Sequence, residues 1–407
     1  MREHIGKLTL FLNIMASVIG LGYVWRFPYL MGSNGGSAFL FLYVIAVFVL
    51  GIPLIFFEMY LGQKYKTTVM CLFKEKFKSR YIIFIPLFLL FVSLIVLSYY
   101  SVVTSWTLGY FFTSFAGFLS FDSYIGSALM FFAFFITVFL VYLAVRFGLK
   151  KGVNVVNYIS SVLFIIFLFV LLYYAVASPG FGTAVKYMFS FNASAISLKT
   201  IVLAFAHALF SLSLGFGILL TYASYSKKEN LNFTIGSIIF SSLLISVLIG
   251  IIIYSFLFSY GLDLASGPRL VFDVLTMAFK GLFFLGPIFF LLLFLITFTS
   301  TISLFELVVA SFVDYYKVKI KKVALIALVV LIILAIPSLF SVAVIEFLDI
   351  VFGSYLTIFS TFLFLLLFLI FTRSFSTLEG RIYKLYRAML YVDLLVLIIL
   401  FIFSFFL

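Results

Sequence analysis

The stretch ASVIGLGYVWRFPYL, residues 16–30, contains four residues that are unfavourable inside a membrane-spanning helix. Gly20 and Gly22 loosen a helix, Pro28 removes a backbone donor, and the charge of Arg26 is costly in hydrocarbon. A helix broken here leaves backbone N–H and C=O groups free near the middle of the bilayer. The freed N–H groups of a half-helix can hold an anion, and the freed carbonyl groups can hold a cation. These residues therefore indicate a site for a zwitterion together with sodium.

A second interruption of the same kind lies in LFSLSLGFGILLTYASY, residues 209–225, where Gly215 and Gly217 stand beside serines. In a membrane, a broken backbone is tolerated only where protein or a cavity surrounds it. Two breaks five spans apart are typical of transporters built from inverted repeats. The alternative is that the glycines serve only close helix packing. The expected units are two repeats of five spans and a final span, at residues 1–180, 181–380 and 381–407.

The elements that must carry these breaks are membrane helices. Mean hydropathy is +1.35 and 10% of the 407 residues are charged, and apolar runs of about 20 residues, enough to cross a bilayer, recur throughout. The first run is too long for a cleavable signal peptide. We expect an all-α integral membrane protein with eleven spans, at residues 8–31, 37–62, 82–116, 124–146, 153–176, 196–225, 233–260, 281–313, 322–342, 346–373 and 388–407.

Lys and Arg residues are concentrated in alternate connections between the spans. With a cytoplasmic N-terminus, 21 of the 26 lie on the cytoplasmic side. The positive-inside rule therefore predicts a cytoplasmic N-terminus and an extracellular Leu407 in a multi-pass protein of the plasma membrane. The net charge of +13 then reflects a basic inner surface that faces anionic lipid, not nucleic acid. No nucleophile–base pair and no metal-ligating set is evident, so an enzyme is not expected.

Four motifs resemble those of the neurotransmitter:sodium symporters, in particular their bacterial leucine-transporter branch. The longest is GLGYVWRFPYLMGSNGGSAFLFLYVIAVFVLGIPLIFFEMYLGQ at residues 20–63. SWTLGY (105–110), SLSLGFGILLTYASY (211–225) and LITFTSTIS (295–303) extend the resemblance to spans 3, 6 and 8. The resemblance implies the leucine-transporter fold, with a 5+5 inverted repeat, broken helices 1 and 6, and an eleventh helix.

The function implied by the resemblance is sodium-coupled symport of a small apolar α-amino acid by alternating access. Relatives that select amines carry an aspartate where this chain has Gly20, so an isolated amine would lack a counter-charge. Two alternatives stay open. One is a proton-coupled amino-acid transporter; the other is a non-transporting membrane sensor or partner subunit of the same fold. The resemblance is also compatible with a homodimer.

The resemblance implies one sodium site between spans 1 and 8. Its ligands would be backbone carbonyls and two hydroxyls, which suit a hard cation. The alternative for the hydroxyls is a bond to the carbonyls of their own helix. The implied ligand residues are Ala16, Ile19, Ile296, Thr299 and Ser300.

A second sodium site of the family is expected to be weak or absent in this chain. Tyr23 stands where the family pattern has Asn, and Leu243 aligns with another family Asn. The remaining groups of this site are Val18 and Ser211, and Ser241 or Ser242 could compensate in part. A chloride site is not expected, because a Gln of span 6 is missing.

The substrate pocket implied by the resemblance combines a few polar groups with an apolar wall, as small-molecule sites do. The carboxylate would bind the amides of Leu21 and Gly22 and the hydroxyl of Tyr100. The ammonium and the side chain would contact the remaining residues, which are Val18, Val96, Phe210, Ser211, Ser213, Phe216, Ser300 and Leu304.

Two charge pairs are expected to gate the pocket by resemblance. Arg26 would face Asp349 on the outer side, and Arg2 would face Asp314 on the inner side. Pairs that form in one state and break in another give an element that ligands can bias. The alternative is a static ion pair or a side chain that reaches out to the membrane surface.

Three further polar residues are singled out by their positions in the family motifs. Glu58 matches a glutamate that binds backbone freed by the break in span 6. His207 and Glu306 replace common glutamines near the outer and inner gates. Because both can titrate, they are the candidate proton-coupling residues of the alternative function.

Overall fold

The computed structural model describes residues 5–77, 80–227, 230–262, 270–274, 276, 279, 284–371 and 381–405. Within these ranges the protein is helical, and the extended pairing consists of a single bridge between Ile5 and Ser226. The predicted all-α architecture is therefore confirmed.

The spans follow the predicted order. Within the described ranges, nine helices are long and apolar enough to cross a bilayer, and one bent pair makes a tenth. The bent pair is Lys7–Val18 and Gly22–Ser33, in span 1. Spans 2–5 and 7–11 are Ser37–Tyr65, Phe84–Thr113, Ala128–Arg146, Leu149–Val176, Leu231–Ser259, Leu285–Tyr316, Ile320–Phe340, Val342–Leu369 and Tyr383–Ser404. Short helices at Val69–Lys76, Phe121–Tyr124 and Phe181–Phe189 lie in the connections.

Span 1 is broken where the glycines predicted it. Its first half-helix ends at Val18, and Ile19 is extended with ψ at 100°. The second half-helix begins with π-helical turns at Gly22–Arg26, and the two halves meet at an angle of 42°. The free backbone groups of residues 19–21 lie at this bend.

Span 6 is broken in the same way. Its half-helices are Leu198–Ser211 and Ile218–Ser224. Gly217 between them has φ at 87°, a left-handed conformation that favours glycine. A Cβ atom there would also overlap the side chain of Val69. The sequence breaks are thus the places where the helices end.

The core lies around the broken spans. Span 8 is the most enclosed, with 83% of its most apolar stretch buried, whereas spans 5 and 11 have 28% buried and cover the outside. Span 2 approaches the second half of span 6 so closely that a Cβ atom on Gly62 would overlap the Leu220 carbonyl oxygen. Close packing therefore holds the broken helices in place.

Replacing Gly62 with Ala is expected to destabilise the protein. The obstacle is backbone, which cannot rotate away, and overpacking of this kind costs about 1–3 kcal/mol. Thermal unfolding of the detergent-purified variant, followed by size-exclusion fluorescence, would show a lower midpoint. Gly236→Ala is the matched control, since no atom lies within 4 Å of a Cβ atom at that position. Equal midpoints for the two variants would contradict the packing argument.

Candidate functional site

A free backbone N–H group at the break in span 1 is hydrogen-bonded to a side chain of span 3. The backbone N–H of Leu21 donates to the hydroxyl oxygen of Tyr100 at 2.7 Å. Gly20 lies so close to the Tyr100 hydroxyl and to Ser300 Oγ that any Cβ atom would overlap both. The glycine is therefore required by close approach between spans 1, 3 and 8.

The carbonyl groups freed in span 1 converge on Ser300 of span 8. Ser300 Oγ lies 3.2 Å from each of the carbonyl oxygens of Ala16, Ser17 and Ile19. One hydroxyl carries one proton and cannot satisfy three acceptors at once. The cluster therefore has an excess of oxygen lone pairs, which fits a hard cation such as sodium.

The other two residues expected at this cation site are nearby on span 8. Thr299 Oγ1 donates to the carbonyl oxygen of Ile296 at 3.0 Å. This is the hydrogen bond within its own helix that was the alternative to sodium binding. That carbonyl is itself one of the expected ligands. The structure thus brings the five expected residues together, while their binding of sodium stays a prediction.

The break in span 6 is bound to span 1 and to span 2. Ser213 Oγ donates to the carbonyl oxygen of Ser17 at 2.8 Å. The carboxylate of Glu58 accepts the N–H of Gly215 at 2.8 Å, which confirms the expected contact of this residue with freed backbone. The free backbone groups of each break are therefore hydrogen-bonded by residues of the other break or of an adjacent span.

A small cavity lies between the two breaks. Its volume of about 20 Å³ has room for about one water molecule. Ten of the eleven expected substrate residues line it, and the eleventh, Leu21, contributes its N–H to Tyr100. Ser17, Gly20 and Ile218 line it as well and were not predicted from the sequence. A substrate can enter only if the surrounding helices move apart.

The outer side of the cavity is closed by the expected charge pair. Arg26 Nε donates to Asp349 Oδ2 at 3.0 Å, and the two side chains are 1% and 2% exposed. The guanidinium also donates to Gly353 and Ser354 and lies 4.6 Å from the ring centre of Phe210. This buried pair and the aromatic ring cover the cavity from the outside.

The Asp349 carboxylate is held by more than the arginine. Tyr29 donates its hydroxyl to Oδ2 at 3.0 Å, and Tyr99 donates to Oδ1 at 3.1 Å. The charge therefore has hydrogen-bond partners from two other helices, as buried charges require.

The inner side is closed by backbone and polar contacts near the end of span 6. The N–H of Ile5 donates to the Tyr225 carbonyl at 3.0 Å, and the Tyr225 hydroxyl donates to Glu306 Oε1 at 3.2 Å. Asp314 is half-buried on the same side. Its expected partner Arg2 lies outside the described residues, so this gate pair stays a prediction.

Comparison with known proteins decides the family. The profile of the sodium:neurotransmitter symporter family matches residues 2–128 and 125–399. The chain belongs to this family. It is therefore a multi-pass membrane protein from a family of transporters, not enzymes.

Two curated bacterial relatives and one solved structure are similar over most of the chain. An uncharacterised sodium-dependent transporter of Haemophilus influenzae is 30% identical over 75% of this chain and 72% of its own length. The uncharacterised sodium-dependent transporter YhdH of Bacillus subtilis is 30% identical over 78% and 74%. The crystal structure of MhsT in complex with L-phenylalanine superposes with a TM-score of 0.90 at 25% identity, covering 99% of this chain and 100% of that one.

This symporter departs from the family pattern around Tyr23. The buried Tyr23 hydroxyl lies near those of Tyr43, Ser211 and Ser242 but makes no hydrogen bond within the described residues. Tyr43 in turn lies 3.3 Å from Ser211 Oγ and 3.2 Å from Ser246 Oγ. Buried hydroxyls, with a bulky phenol among them, therefore fill the region where the second sodium site was considered.

Leu243 of span 7, the position aligned with a family Asn, lies on a different face of its helix from the serines of the hydroxyl cluster. Leu243 lines an apolar groove with Phe48 and Tyr386. One residue of rotation on a helix is about 100°, and the positions of span 7 that face the hydroxyl cluster are Ser242 and Ser246. The spacing of four residues between these serines could have indicated a shared face.

His207 lies in an aromatic environment. Its ring is 5.0 Å from that of Tyr43 and stacks on Phe27 at 5.9 Å, with Phe39 at 6.0 Å. Both ring nitrogens are buried without a hydrogen-bond partner among the described residues. This packing gives His207 no visible route for a proton.

Replacing Asp349 with Asn is expected to destabilise the structure strongly. Removing one partner of a buried ion pair leaves the Arg26 charge uncompensated and costs about 3–5 kcal/mol. The measurement is the thermal unfolding midpoint in detergent. Glu346→Gln is the control, because Glu346 is exposed on the same helix and such changes stay within about 0.5 kcal/mol. Similar midpoints for both variants would show that the pair contributes nothing to the closed form.

Proposed function

We propose that this protein is a sodium-coupled symporter of a small apolar α-amino acid that works by alternating access. The observation that carries the proposal is the convergence of three span 1 carbonyl oxygens on Ser300, beside the cavity between the breaks. A cation bound there would join span 1 to span 8. The cation and the substrate would then stabilise the same arrangement of the broken helix.

The polar groups of the cavity match the two charges of an amino acid. The N–H groups of Leu21 and Gly22 and the Tyr100 hydroxyl can receive a carboxylate, with the Tyr100 bond to Leu21 already in place. The carbonyls of Val18 and Phe210 and the hydroxyls of Ser211 and Ser213 can receive an ammonium group. None of the thirteen lining residues is a carboxylate. A substrate amine without its own carboxylate would therefore lack a counter-charge.

The remaining wall of the cavity favours an apolar side chain. Val96, Phe210, Phe216, Ile218 and Leu304 supply it, and no charged residue joins them. The related MhsT structure contains L-phenylalanine. Aliphatic and aromatic amino acids are accordingly the proposed substrate class.

One sodium ion per cycle is the proposed stoichiometry. At the first site, three carbonyl oxygens of span 1 lie 3.2 Å from the Ser300 hydroxyl of span 8. Around Tyr23, by contrast, the phenol occupies space and each hydroxyl has another hydroxyl beside it. A chloride site is not part of the proposal.

Alternating access would use the two contacts that close the cavity. The Arg26–Asp349 pair would separate when the cavity opens outward. The contacts of Ile5 with Tyr225, together with the Arg2–Asp314 pair, would separate when it opens inward. The repeats at 1–180 and 181–380 would move against each other, with the N-terminus in the cytoplasm, the C-terminus outside and 381–407 as an added helix.

The test is uptake of radiolabelled leucine, phenylalanine and other amino acids into proteoliposomes with and without a sodium gradient. Thr299→Ala combined with Ser300→Ala should abolish sodium stimulation, because both hydroxyl ligands are lost. Thr297→Ala is the matched control, since the Thr297 hydroxyl bonds carbonyls of its own helix and Thr297, unlike Thr299 and Ser300, lines neither of the two cavities beside the breaks. Unaltered sodium dependence in the double variant would refute the assigned site. Uptake that follows a pH gradient and ignores sodium would favour coupling through Glu306.

The sodium dependence of substrate binding should show a Hill coefficient near 1. The physical reason is that the Tyr23 region offers a filled cluster instead of an open ligand set. Binding of the best substrate would be measured across sodium concentrations at fixed pH and ionic strength, with choline as the replacement cation. A coefficient near 2 would mean that serines of span 7 complete a second site.

A further inference from the structure

Three asparagines form a buried cluster where the first half of span 1 meets span 5. Asn13 Nδ2 donates to Asn154 Oδ1 at 2.7 Å, and Asn157 Nδ2 donates to Asn13 Oδ1 at 3.0 Å. Asn13 and Asn157 are 1% and 0% exposed, and Asn154 is half-buried. We call Asn13, Asn154 and Asn157 the amide cluster. It links the first half of span 1 to span 5.

The amide cluster continues into spans 6 and 8. Tyr222, on the second half of span 6, lies near Asn157, whose Oδ1 is buried without a hydrogen bond to the described residues. The Tyr222 hydroxyl donates to Ser303 Oγ at 2.9 Å, and Ser303 Oγ donates to the Thr299 carbonyl at 3.0 Å. Polar contacts therefore run from the first half-helix to the segment of span 8 that carries Thr299.

The position of the amide cluster relates it to the cation site. Asn13 lies three residues, about one helical turn, before Ala16. On span 5, Asn157 lies one turn before Ser160 and Ser161. These serines line a cavity of about 130 Å³ that also borders Ala16, Ile19, Ile296 and Thr299. The amide cluster is thus one turn away from a cavity that reaches the cation site.

We propose that the amide cluster positions the first half of span 1, so that its terminal carbonyls face Ser300, and closes the adjoining cavity towards the inner side. Asn13 and Asn157 act through the backbone of Ala16 and Ile19 and do not contact the cation. The proposal rests on the proposed sodium-coupled function for the identity of the cation.

Amides suit this position better than either charged or apolar side chains. A charge pair here would be costly to separate in the bilayer, and an apolar contact would specify no register between the two helices. Amide hydrogen bonds inside a membrane are modest, so they can hold one arrangement and still break during a cycle. They also carry no charge that depends on pH.

The first experiment measures access to the cavity. Ser160→Cys is introduced with Cys71→Ser, which removes the single native cysteine, and labelling by a polar maleimide is followed in detergent without sodium. Adding Asn13→Leu or Asn157→Leu, which keep the branching and the number of heavy atoms of the side chain, should speed labelling by about threefold to tenfold, the range of one lost hydrogen bond. The two changes together should have no larger effect than the greater single one, because both break the same link.

The second experiment measures binding of radioactive sodium to the same purified variants without the Ser160 substitution. Asn13→Leu should weaken sodium binding by about threefold to tenfold. Asn232→Leu is the control, because it also removes a hydrogen bond between two helices, the one that Asn232 of span 7 accepts from Tyr386 of span 11. If Asn13 had a merely structural role, Asn13→Leu and Asn232→Leu would both lower the unfolding midpoint, and sodium affinity would not change selectively in Asn13→Leu.

Two results would overturn the proposal. One is a labelling rate in Asn13→Leu equal to that of Asn232→Leu, and the other is an unchanged sodium affinity in Asn13→Leu when the unsubstituted protein binds sodium. If the unsubstituted protein binds no sodium at all, the proposed function fails instead. The labelling rates then decide the role of the amide cluster in closing the cavity.

Discussion

The structure depends on one constraint: two helices are unwound inside a membrane, where water is not available to bind their free backbone groups. Each break is therefore placed where protein groups can satisfy it. Ser213 binds the Ser17 carbonyl, Tyr100 receives the Leu21 N–H, and Glu58 receives the Gly215 N–H. Spans 2 and 3 must pack against the breaks for this to happen. The same groups that satisfy the breaks also form the cavity, so stability and binding draw on one set of atoms.

Close packing makes the closed form a discrete state. The cavity between the breaks holds about 20 Å³, and a Cβ atom on Gly20 would collide with Tyr100 and Ser300. Such a core cannot expand gradually, because packed interiors are not continuously deformable. The fully buried Arg26–Asp349 pair acts in the same direction, since a half-separated pair would leave charges without partners. Opening on either side must therefore be a concerted movement of half-helices.

Neutral polar groups carry much of the specificity inside this protein. The proposed cation site consists of carbonyls and hydroxyls, the Tyr23 region of hydroxyls, and the contact between Asn13 and span 5 of amides. In hydrocarbon such groups need partners, but their separation costs less than that of charges. An assembly of this kind can be both specific and reversible, as alternating access requires.

The sequence by itself determined the spans and both helix breaks, because these depend on local hydropathy and on glycine. Most residues of the cavity were implied by the resemblance of its motifs to those of a known family. Only the tertiary structure decided which faces meet. It placed Ser242 near Tyr23 and Ser246 against Tyr43, and it brought the Ser17 carbonyl to Ser300 beside the carbonyls of the proposed cation site. It also joined Asn13 to Asn157 across 144 positions of sequence. Such contacts follow from the rotation and crossing of helices, where one residue of error turns a side chain by about 100°, and a sequence read alone does not specify them.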